Sequence, residues 1–119
     1  MKWEKVYRSH GFRDKSVTYD NRSEKADEYY RKAIADYRRA EGRHLARARY
    51  DLLTNAYYNL GASYQAIGDF QNACSAYNKT LEAHAENVRR NPGAKPYVPR
   101  NFGTFESLVR SAKRHARCE

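Results

Sequence analysis

Residues 57–77 read Tyr57-Tyr58-Asn59-Leu60-Gly61-Ala62-Ser63-Tyr64-Gln65-Ala66-Ile67-Gly68-Asp69-Phe70-Gln71-Asn72-Ala73-Cys74-Ser75-Ala76-Tyr77. Ahead of Gly68-Asp69 runs a stripe of Leu45, Ala48, Leu52, Ala56, Leu60, Tyr64 and Ile67. Its steps of three and four residues keep it on one face of a helix. Behind the dipeptide, Phe70, Ala73, Tyr77, Thr80, Leu81 and Val88 form a second such face, which Asn91-Pro92-Gly93 ends because proline lacks the N–H that the next turn needs. Gly68-Asp69 suits a tight turn. The stretch therefore predicts two antiparallel helices, over 45–67 and 69–90.

Working outward, Ala26, Tyr30, Ala33, Tyr37 and Ala40 share a face, with the pairs Asp27–Arg31 and Glu28–Lys32 at i,i+4 on the other side. Asn21 can cap this helix, with Glu24 reaching back from three residues on, and Gly42 is its expected stop, giving a helix over 22–41. Before it, Trp3, Val6, Tyr7, Phe12, Val17 and Tyr19 follow no sustained period, so residues 1–20 read as an irregular N-terminal segment. Residues 91–103 hold all three prolines and read as a linker. Thr104 can then cap a helix over 104–117, apolar at Phe105, Leu108, Val109, Ala112 and Ala116 and basic at Arg110, Lys113, Arg114 and Arg117. The expected organisation is a three-helix core at 21–90, the linker, and a basic amphipathic helix in 104–119.

The pattern Tyr57-x2-Leu60-Gly61-x2-Tyr64-x3-Gly68-Asp69-Phe70-x2-Ala73-x3-Tyr77 resembles the tetratricopeptide repeat, and the resemblance covers about residues 54–87. It implies an all-α fold: a tetratricopeptide-like antiparallel hairpin with N-terminal and C-terminal capping helices. In such a hairpin Gly61 and Ala73 allow close approach, while Tyr64 and Tyr77 fill the space between the helices. Tyr30-x2-Ala33-x3-Tyr37-x2-Ala40 echoes the second-helix half, Phe70-x2-Ala73-x3-Tyr77-x2-Thr80, which suggests a preceding half repeat. Two departures stand out: residues 14–27 lack the Leu-Gly and Tyr marks, and Ala85 occupies the place of the family's proline. Arrays of this kind need roughly three units for stability, so the flanking helices must cap the hairpin or the chain must self-associate.

The resemblance also implies protein binding, with Asn55, Tyr58, Ala62, Gln65 and Ala66 on the concave face. The family's clamp for chaperone carboxylates needs Lys at position 58 and Asn at position 62; neither is present. An adaptor, a small chaperone or an inhibitor that holds a partner protein or peptide is the expected function.

The net charge of +9 is concentrated in the flanks, because residues 51–90 carry 3 Lys/Arg against 4 Asp/Glu. An anionic partner, nucleic acid or an acidic protein surface, is the alternative expectation, carried by Arg39, Arg43, Arg47, Arg110, Lys113, Arg114 and Arg117. Eleven tyrosines suggest base stacking, yet Tyr30, Tyr37, Tyr57, Tyr64 and Tyr77 fall on inward faces, leaving Tyr29, Tyr58 and Tyr97 for the surface. Cys74 and Cys118 read as free thiols. The four histidines are scattered, with only His115 and Cys118 three residues apart, so no metal and no cofactor is expected. No catalytic constellation stands out, and an enzyme is not expected. With no apolar run long enough to cross a membrane and a charged opening stretch, the expected location is cytoplasmic.

Overall fold

The computed structural model describes residues 19–118 apart from 97 and 99, so almost all of the expected irregular segment at 1–20 lies outside the described residues. The described chain is all-α: α1 is Tyr19–Ala46, α2 is Tyr50–Ala66, α3 is Phe70–Arg90 and α4 is Phe105–His115, with a 3-10 turn at Arg100–Phe102. Consecutive helices are neighbours, α1 on α2, α2 on α3 and α4 on α3.

Gly68 takes φ +83° between α2 and α3, a conformation open to glycine because it has no Cβ. The Asp69 carboxylate then accepts from the Asn72 N–H at 3.2 Å and caps α3. This short connection folds α3 back along α2. At the crossing, a Cβ on Gly61 would lie 2.6 Å from the Tyr77 ring, so the ring rests on bare helix backbone. Tyr77 is 2% exposed and its hydroxyl donates to Gln65 Oε1 at 2.9 Å. Ala73 and Thr80, on the same helix as Tyr77, are fully buried. Tyrosine thus fills the core while its hydroxyl stays satisfied, which avoids the cost of an unpaired buried polar group.

Two further tyrosines of α2 tie down α1. Tyr57 donates to the Glu41 carboxylate at 2.7 Å, and the Arg38 guanidinium donates to the Tyr64 hydroxyl at 3.3 Å. Burial, and then the Glu41 carboxylate, push the Tyr57 hydroxyl above its usual range. Near the start of α1, Ala26 and Tyr30 pack against Ala66 and Ile67. Of the tyrosines expected inside, Tyr30, Tyr57, Tyr64 and Tyr77 are buried and Tyr37 is half-buried; Tyr29 is exposed, Tyr58 is half-buried, and Tyr97 lies outside the described residues.

Several expectations need correction. Asn21 does not cap the first helix, which already begins at Tyr19, and Leu52, Phe70 and Val88, expected on the inward stripes, are exposed at the edges of those stripes. Gly42 does not end the first helix: α1 runs on to Ala46, and Leu45 and Ala48, expected on the second helix, are exposed residues of the α1 end and the turn. A mid-helix glycine costs only about 1 kcal/mol relative to alanine, which packing of α1 on α2 can override. Ala48 supplies the reversal at φ 52°, with the N–H groups of Ala48 and Arg49 returned to the carbonyls of Leu45 and His44. The cysteines are not free either: Cys74 and Cys118 form a disulfide that closes a 44-residue separation. Helical spacing cannot foresee a contact between α3 and the segment past α4.

At its start α4 is capped as expected, Thr104 accepting from the Ser107 N–H at 3.0 Å. Its inward residues Phe105 and Val109, with Ala116 just beyond the helix, join the core of α2 and α3.

Candidate functional site: the groove between α2, α3 and α4

A groove of about 580 Å³ opens where α2, α3, α4 and the 91–104 connection meet. The α2 wall presents Asp51, Asn55, Tyr58 and Asn59, at helical steps of four, three and one, so they form one strip. Facing it are His84 and Asn87 of α3, Ala94, Lys95 and Pro96 of the connection, and Phe105 and Leu108 of α4. The α2 side is polar, and on the facing side Phe105 and Leu108 of α4 form an apolar wall beside the polar His84, Asn87 and Lys95.

The polar side has hydrogen-bonding capacity to spare. Among the described residues, the side-chain amides of Asn55 and Asn59 make no hydrogen bond within the protein, whereas the Asn87 carbonyl oxygen accepts from the Asn91 amide at 3.1 Å. Tyr58 leans on Tyr77 with ring centres 5.8 Å apart, and burial raises its hydroxyl above the usual range. Arg49 grips the Asp51 carboxylate with two donors at 2.9 and 3.1 Å, and those hydrogen bonds hold it below the ordinary carboxylate range.

His84 is 7% exposed. Its ring packs on Phe105 at 4.6 Å, its Nε2 lies 3.4 Å from a Glu106 carboxylate oxygen, and its Nδ1 has no partner. It joins the floor of the groove to α4. His84, Asn59, Asn87 and Lys95 were not singled out from sequence; for His84 the signal was its i+7 spacing from Tyr77, which shares the inward face of α3.

The five concave-face candidates are divided by the structure. Asn55 and Tyr58 line the groove. Gln65 is engaged by the Tyr77 hydroxyl, Ala66 packs toward α1, and Ala62 is half-buried away from the groove lining.

The basic candidates form two separate groups. Arg39 and Arg43 are exposed on the C-terminal half of α1 and Arg47 on the turn after it, with Arg39 paired to Asp36. Arg110, Lys113 and Arg114 lie on α4, and Arg117, just past it, has its guanidinium 5.8 Å from the Phe70 ring centre. Cys118 is spent in the disulfide and His115 Nδ1 is 2.8 Å from the Ser111 carbonyl, so the pair is not poised as metal ligands. No helix among the described residues is long and apolar enough to cross a membrane.

No curated protein and no solved structure shows a significant match to the chain. Residues 55–87 do match a family model, described as the tetratricopeptide repeat. That family is typically a non-catalytic interaction fold. With the match falling on α2 and α3, where a glycine backbone receives an aromatic ring next to a Gly-Asp turn, residues 55–87 form a tetratricopeptide-type repeat.

Proposed function

We propose that the protein is an interaction module that captures an extended peptide segment of a partner protein in the groove between α2, α3 and α4. The observation that carries this reading is the pair of unengaged amides, Asn55 and Asn59, set one helical turn apart opposite the apolar wall of Phe105 and Leu108. An amide side chain both donates and accepts, so a ladder of two can pair with the N–H and C=O of an extended main chain. The apolar wall then takes a partner side chain. Such capture serves an adaptor, a small chaperone or an inhibitor equally well.

Peptides selected from a displayed random library on the full-length protein supply the probe. Asn55→Ala with Asn59→Ala should weaken the selected peptide at least tenfold while the melting temperature stays within a degree or two, because both amides lack internal partners. Unchanged affinity would overturn the reading. Location in the cytoplasm fits this module if the disulfide is reversible, since permanent disulfides belong to oxidising compartments.

A second reading, nucleic-acid association, is favoured by one observation: Arg110, Lys113, Arg114 and Arg117 have no ion-pair partner among the described residues. Binding through them would be indifferent to sequence, with a salt slope falling by about 0.9 for each phosphate contact removed. Absence of duplex binding at low salt would end it.

A further inference from the structure

The helix that supplies the apolar wall of the groove is held by a small apolar contact, the His84 side chain and one covalent bond. α4 has eleven residues, of which Phe105 and Val109 are buried, and its principal helical neighbour is α3. A helix that short is not stable alone in water, and its few apolar contacts must offset the entropy of ordering both it and the connection before it. The Cys74–Cys118 disulfide fastens its far end to α3. The near end meets the groove through Phe105, against the His84 ring, and through Leu108.

We propose that the Cys74–Cys118 disulfide is a redox latch on the peptide groove. Oxidised, it keeps α4 docked and the groove complete; reduced, it lets α4 leave and removes the wall of Phe105 and Leu108. The proposal rests on the groove being the peptide site. The co-reactant is a dithiol. One of its thiolates attacks a sulphur of the bridge, forms a mixed disulfide and expels the other cysteine as a thiolate, which takes up a proton. Its second thiol then attacks the mixed disulfide and frees the remaining cysteine. Two electrons and two protons pass to Cys74 and Cys118, and the dithiol leaves as a cyclic disulfide. Both cysteines are half-buried rather than sealed in, so the bridge is within reach of a reductant.

The test uses the full chain, the library-selected peptide and dithiothreitol as the dithiol. On reduction, amide exchange across α4 should speed at least tenfold while the buried amides of α2 and α3 keep their protection, and peptide affinity should fall at least tenfold. Cys118→Ser should resemble the reduced protein and no longer respond to dithiothreitol; Cys74→Ser does the same if the first variant folds poorly. Unchanged α4 protection in the reduced protein would overturn the latch, as would a peptide held equally by both forms. Failure to select any peptide on the oxidised protein would overturn the groove reading, and control of binding with it.

Discussion

α3 holds its two neighbours by different means. α2 is matched to α3 by shape, with a ring laid where a glycine lacks a Cβ and a hydroxyl returned to Gln65. α4 brings a few apolar side chains and a disulfide. Close packing stabilises a helix pair through many small contacts that fail together, whereas a single covalent tie over a thin contact fails at one bond and leaves the rest standing. The first arrangement suits a scaffold and the second a movable wall.

The sharpest way to break the scaffold is Tyr77→Ala, which removes a fully buried ring and should cost about 3–5 kcal/mol in denaturant unfolding, against which a loss under 1 kcal/mol would contradict the packing described. Next comes Cys118→Ser, expected to remove about 2–4 kcal/mol, felt as opening of α4 rather than of the hairpin. Uniform loss of amide protection in all four helices would erase the contrast between α2 and α4. Gly61→Ala should cost about 1–3 kcal/mol by forcing the Tyr77 ring off the backbone, and a neutral melting curve would mean that the ring has room to move. Asp69→Ala should cost about 1 kcal/mol through loss of the α3 cap.

The smallest effect concerns the far end of α3, where Glu86 pairs with Arg89 and Arg90. Their hydrogen bonds lower its carboxyl from 4.5 to about 2. A depressed carboxyl contributes stability that is present above pH 4.5 and is lost as the pH falls toward 2. Glu86→Gln should therefore flatten the melting-temperature profile slightly within that window and leave it unchanged at pH 7 to within the modest worth of exposed ion pairs. An equal slope in both proteins would show that other carboxyls carry the acid response.

Much of the scaffold was legible residue by residue. The spacing of Leu60, Tyr64, Ala73 and Tyr77 placed the inward faces, Gly68-Asp69 placed the turn, and Thr104 placed a cap. The groove was legible only in part: Asn55 and Tyr58 line it, but Gln65 and Ala66, on the same helix, are engaged by Tyr77 and by the α1 contact. Helical position says which side chains share a face, and says nothing of which neighbour covers it.

What the sequence determined by itself is therefore local: helices, their inward stripes and the hairpin turn, all written in steps of three and four residues because the helix repeats every 3.6. Only the tertiary structure decided that α1 continues past Gly42 and that Cys74 meets Cys118. Each of these depends on which distant segments come into contact. That is settled by the summed packing of whole helices, and no short run of residues encodes it.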